Sequence, residues 1–166
     1  MKKQARRAWI IAALCAFVSL AMFVTPALSH HSFAMYDQTK TLTLTGIAHQ
    51  FVAQANHAEL HFYLVGPNGK PAMDKDGKPV DYGMEMGGAA AMAAQGITAE
   101  SFPAGVVFSV KLNPLRDGSN FGSKAGNSAI AKCPTDKVTG KTTAVPAAGK
   151  HCDSVPGMTL LGGTTF

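Results

Sequence analysis

The stretch Thr41-Leu42-Thr43-Leu44-Thr45 alternates polar and apolar residues, and Gly46 follows where the apolar set moves from even positions to the odd positions Ile47 and Phe51. Side chains point to opposite faces in turn along a strand, so this run reads as one half-buried β-strand. A glycine that changes the parity reads as a β-bulge. The first strand of the fold is therefore bent, and the rest of the chain has to pack around that bend.

The later runs fit the same plan. Residues 57–65 place Leu60, Phe62 and Leu64 on one face and His57, Glu59, His61 and Tyr63 on the other. Gly66-Pro67-Asn68-Gly69 and Asp76-Gly77 are turn signals around an exposed excursion. Residues 80–86 read as a third strand. The alanine-rich residues 89–95 read as a short helix stopped by Gly96. Residues 106–112 form the clearest strand, ended by Asn113-Pro114; residues 128–132 read as a final strand, with 157–161 as a short further one. A bulged first strand, a helix between the third and fourth strands and a fifth strand near the end describe a mainly β fold. The expected form is a small, partly open OB-like barrel of about five strands with one short helix. A β-sandwich is the alternative. A parallel α/β sheet is excluded by the lack of crossover helices.

Residues 1–29 carry the parts of a secretory signal: a basic start (Lys2, Lys3, Arg6, Arg7), an apolar run over 8–24 and the small-residue exit Ala27-Leu28-Ser29. Cleavage there divides the chain into a leader (1–29), a small β-barrel domain (30–132) and a loop-rich tail (133–166). It also changes the charge. The formal +5 of the whole chain loses four of its fifteen basic residues and none of its ten acidic ones, which leaves 11 against 10, or +1. Nucleic acid therefore has no electrostatic case as a partner, and no membrane association is expected after cleavage. The protein is expected to be periplasmic or secreted.

Two cysteines, Cys133 and Cys152, remain after the leader, in a region poor in apolar residues. An oxidising compartment favours a disulfide between them, and closing a loop of that length stabilises by about 3 kcal/mol in the chain-entropy view. A zinc-type site of both cysteines with His151 is the rival reading, weakened by the adjacency of His151 and Cys152.

Cleavage after Ser29 would make His30 the first residue, able to offer its amine and its imidazole to one ion. A third nitrogen from His57 or His61, with His31 next, would complete a planar set suited to Cu(II). Cleavage one residue earlier would leave Ser29-His30-His31, a terminus that binds Cu(II) or Ni(II) through amine and amide nitrogens. The metal candidates are therefore His30, His31, His57 and His61. His57 and His61 share a strand face but lie about 13 Å apart along it, so they are not an easy pair for one ion. A simple hairpin centred near Gln54 would set His49 opposite Glu59. Met84 and Met86 alternate on one strand face, where packing into a core is the more economical reading than a soft copper site. No nucleophile elbow, Cys–His pair or phosphate-cradling loop is present in the sequence, so no enzyme is expected.

The chain resembles a family of small exported bacterial proteins of unknown function. The resemblance rests on His30-His31-Ser32-Phe33-Ala34-Met35-Tyr36-Asp37, the Thr-rich strand with Gly46, Ala55-Asn56-His57, and Asn113-Pro114-Leu115-Arg116-Asp117-Gly118. It covers about residues 30–125 and implies export and a small β fold. The chain departs from the family pattern by lacking a proline before His57 and the usual aromatic residue around 82–84, and its cysteine-containing tail looks like an addition. The functional expectation is a copper carrier or buffer built on an N-terminal histidine, its partner a metal ion or an envelope protein. The alternative is a metal-free β-barrel module that binds an envelope protein or a small ligand. An oxidative copper enzyme is a third reading, for which the sequence supplies no open substrate site.

Overall fold

The computed structural model describes residues 31–166. The leader expected over 1–29, His30 and the side chain of His31 lie outside the described residues. The chain divides into two units, residues 1–34 and 35–166. The first contributes a single helical turn, α1 (His31–Ala34). The second contains strands β1 (Leu42–Val52), β2 (Glu59–Leu64) and β3 (Asp81–Glu85), the short helix α2 (Ala89–Ala93), then β4 (Val107–Pro114), β5 (Phe121–Lys124), β6 (Ile130–Lys132) and β7 (Thr159–Leu161).

β1 pairs antiparallel with β2, β2 with β3, and β4 with β5, while β3 and β5 run parallel. β1 also pairs antiparallel with β4, which closes the five strands β1-β2-β3-β5-β4 into a barrel. The OB-like expectation holds, with α2 between β3 and β4. The barrel is closed rather than partly open, its two shortest seams being the three β3–β5 pairs from Gly83↔Phe121 to Glu85↔Ser123 and the three β4–β5 pairs from Leu112↔Lys124 to Pro114↔Gly122. Beyond it, β6 lies along β4 at Phe108 and Ser109, and β7 flanks β6. The segment at 130–132 is therefore not the fifth barrel strand. That place belongs to β5, whose Gly122-Ser123-Lys124 has no apolar alternation to announce it.

The interior follows from the alternation in β2 and β3. Leu60 faces Met84 and Phe62 faces Tyr82, all buried, while Glu59, His61 and Tyr63 pair with Glu85, Gly83 and Asp81 on the outside. Met84 and Met86 are core residues, as packing predicts. The rings of Phe62 and Phe108 meet edge to face at 5.1 Å, and those of Phe102 and Phe108 at 5.3 Å. Such pairs add to the burial of their apolar area.

Gly46 has a different role from the one its position suggests. A Cβ built there would stand 2.2 Å from Phe62 Cδ2, so glycine leaves room for that ring against the β1 backbone. The bulge comes three residues later. Ala48 pairs with Phe62 and Gln50 with His61, leaving His49 as the extra residue. The apparent change of parity at Ile47 arises because β1 is covered on both faces: Gly46 and Ala48 face the core, while Ile47 packs outside with Val107, Ala131 and the Cys133–Cys152 disulfide. The disulfide joins the end of β6 to a 3₁₀ turn at Cys152–Ser154. Among the described residues no helix is long and apolar enough to cross a membrane.

Candidate functional site

One outer face of the barrel gathers three histidines, each against its own carboxylate. The bulge in β1 turns His49 outward across β2. Its ring stacks on Tyr63 at 4.4 Å, and its Nε2 lies 2.8 Å from Asp81 Oδ1 on β3. His61, one step along the same face, places Nε2 2.9 Å from Glu59 Oε2. Just before β2, His57 Nδ1 lies 3.2 Å from Glu85 Oε1. The His49 and His61 ring centroids are 6.2 Å apart.

Gly83 makes room for this arrangement. It pairs with His61, and a Cβ on it would fall 2.3 Å from Phe121 Cδ2, so the aromatic ring lies against bare backbone beside His61. Phe121 thus lines the histidine face from β5, its centroid 6.3 Å from that of His61.

A second residue enters from the start of the folded body. Tyr36 is fully buried, forms an isolated bridge with Leu115, and donates its hydroxyl hydrogen to Glu85 Oε2 at 3.1 Å. Glu85 therefore holds Tyr36 with one oxygen and His57 with the other. Burial raises the Tyr36 phenol well above its ordinary range, and the charge of Glu85, its hydrogen bond and the charge of Glu59 push the same way. Around the entry to β1, Asp37 accepts from the Thr39 hydroxyl and pairs with Lys40, which keep its carboxyl down at about 2. Asn113 Nδ2 donates to the Lys40 carbonyl at 2.6 Å, so the Asn113-Pro114 element fastens this entry from β4.

A carboxylate on one ring nitrogen fixes an imidazole's tautomer and orientation and leaves the other nitrogen for a ligand, as at many metal sites. The remaining nitrogens are Nδ1 of His49, Nε2 of His57 and Nδ1 of His61. Among the described residues, no three His, Cys, Asp or Glu side chains are grouped to hold one ion. His57 and His61 share the face, but each is held by a different carboxylate. The expected pairing of His49 with Glu59 does not occur; the bulge offsets the register, so Val52 faces Glu59 and His49 reaches Asp81 instead.

Sequence reasoning passed over His49 and Tyr36 as site residues. The return of apolar positions from Ala48 to Phe51 is the trace of the bulge, and therefore of His49. Tyr36 precedes the strand pattern and has no periodic signal at all. The bridge between Cys133 and Cys152 is formed, so His151 has no thiolates to join in a zinc site. Its Nδ1 instead lies 2.8 Å from Thr45 Oγ1.

Fold and face together define a small OB-like β-barrel that displays imidazole–carboxylate pairs on one outer sheet surface. The chain belongs to DUF6152, a family of unknown function, which it matches over residues 16–124. No curated protein and no solved structure matches it. The family match ends at the last residue of β5, so it spans all five barrel strands and stops before β6.

Proposed function

We propose that this protein is an exported, periplasmic or secreted carrier or buffer of a metal ion, copper by its donor chemistry, whose site forms when signal cleavage exposes His30. The amine and imidazole of His30 supply two nitrogens, with His31 beside them. The barrel face supplies a further imidazole from His57 or His61, nitrogen ligands of the kind Cu(II) prefers.

The observation that carries this reading is the double use of Glu85. It holds His57 on one oxygen and Tyr36 on the other. Tyr36 follows His30 by six positions, a length of chain that spans at most about 22 Å. The proposal requires the new terminus to fold back over that length onto His57 or His61. The carboxylates on these imidazoles fix their tautomer and orientation, which favours ligation.

The test is a Cu(II) titration of the mature protein, its first residue established by mass spectrometry and its binding followed by electron paramagnetic resonance. One equivalent should bind below micromolar concentration with nitrogen hyperfine structure. Substituting Glu85→Gln should weaken binding by about 10- to 100-fold, as loss of an orienting carboxylate does. A chain starting at His30 that takes up no stoichiometric copper in that range overturns the proposal. Undiminished binding by a form that retains residues 1–29 removes the role of the terminus.

A further inference from the structure

On another part of the barrel surface, a groove of about 350 Å³ runs between the β1 segment 43–45, the end of β2 with residues 64–67, and residues 146–151 of the disulfide-closed arm. That volume is at the small end of the range for small-molecule sites. Leu44, Leu64, Pro67 and Pro146 give it an apolar body, while Lys150 and His151 stand at the arm, and no acidic side chain is among the lining residues.

The donor character of His151 follows from a chain of hydrogen bonds behind it. Cys152 N–H donates to Ser109 Oγ at 2.9 Å, and Ser109 is fully buried. Among the described residues the other partner of that oxygen is Thr45 Oγ1, at 2.7 Å. A buried hydroxyl hydrogen without an acceptor is costly, so Ser109 donates to Thr45. Thr45 Oγ1 lies 2.8 Å from His151 Nδ1 and, with Ser109 donating to it, is free to give its own hydrogen to that nitrogen. In that arrangement the imidazole carries its hydrogen on Nε2 and presents a donor to the groove. A lining that combines this N–H, the Lys150 ammonium and an apolar body, with no acid, complements a small anion attached to a hydrocarbon.

We infer that this groove is a binding site for a small amphipathic carboxylate, a short-chain acid whose carboxylate meets Lys150 and His151 and whose hydrocarbon lies on Leu44, Leu64 and the two prolines. The site is distinct from the histidine face and independent of the metal reading, since none of its residues is a proposed ligand.

The experiment is an amide chemical-shift titration of the folded, disulfide-bonded mature protein with sodium hexanoate, and with hexan-1-ol and acetate as controls. Hexanoate should give saturable shifts centred on 43–45, 64–67 and 146–151 with about millimolar affinity. Hexanol, which lacks the charge, and acetate, which lacks the hydrocarbon, should each bind about tenfold more weakly. The exposed substitution Lys150→Ala should also cost hexanoate about tenfold while leaving hexanol unchanged. Absence of saturable shifts in these segments, equal binding of hexanol and hexanoate, or an unchanged Lys150→Ala variant overturns the inference. The wild-type comparison of the three probes decides the matter even if the Lys150→Ala variant fails to fold.

Discussion

The barrel and the arm that follows it are held by different means. The barrel strands surround an interior built from Leu60, Phe62, Tyr82, Met84, Phe108, Val110 and Leu112, several of them fully buried. The arm beyond Lys124 adds Ile130 and Leu161 to that interior and otherwise rests on a much smaller cluster, in which Val107, Ala131 and Val155 pack on the Cys133–Cys152 bridge. A chain segment that buries little apolar surface cannot offset its conformational entropy, and a covalent closure does part of that work by restricting the unfolded state. The family match follows the same division, ending at the last residue of β5. The arm is thus an appendage stabilised by its own cross-link, and it builds one wall of the groove.

The sharpest way to break this contrast is at the centre of the barrel. Phe62 is fully buried, stacked near Tyr82 at 5.7 Å and edge to face with Phe108. Phe62→Ala should cost about 3–5 kcal/mol in denaturant unfolding, with arm and barrel lost together. A loss below about 1 kcal/mol would place the stabilising core elsewhere.

Next in size is the bridge. Replacing Cys133 and Cys152 by alanine should cost about 3 kcal/mol in the loop-entropy account, for cysteines 19 positions apart. The loss should be local. Hydrogen exchange at Lys132 and Leu161 should accelerate far more than at Leu60 or Val110, and equal acceleration would show that arm and barrel unfold as one unit.

The smallest effect concerns the Tyr36 anchor. Its folded-state phenol is raised above its unfolded value, so the native protein keeps a proton that the unfolded chain gives up near pH 10. The stability associated with it is complete below that pH and is lost as pH rises above it. Tyr36→Phe should cost about 1.5 kcal/mol at neutral pH through the missing bond to Glu85. It should also flatten the alkaline decline and remove a late step from the ultraviolet titration of the tyrosines. Burial also raises the Tyr82 phenol, so an unchanged titration curve would mean that Tyr82 alone supplies the late step.

How far these features are legible in the sequence depends on how local their causes are. β2 could be read directly, because Leu60, Phe62 and Leu64 alternate with polar residues and the strand has one dry face. The helix after β3 and its stop at Gly96 were equally plain, since alanine composition and a positive φ of 75° at Gly96 are local matters. The bridge was legible because only two cysteines, Cys133 and Cys152, follow residue 29. β5 was not, because Gly122-Ser123-Lys124 is a strand only by virtue of the edges of β3 and β4 that flank it. The histidine face was half legible: alternation puts His57, Glu59 and His61 together, but which carboxylate each imidazole meets depends on registers across three strands. A bulge displaced from Gly46 to His49 changes those partners, and the alternation of β1 alone does not locate it.

The bulge can be considered as a removable part. With His49 deleted, Ala48 opposite Phe62 would be followed directly by Gln50 opposite His61, and Phe51 would still pair with Leu60. Every other β1–β2 partner would be kept, Gln50 exposed and Phe51 turned to the core as now. A chain one residue shorter should therefore fold to the same barrel, with thermal unfolding near that of the parent. It would lack only the ring that rests on Tyr63 and reaches Asp81. The sheet does not need the extra residue for closure, so the feature that interrupts its pattern serves the surface rather than the core.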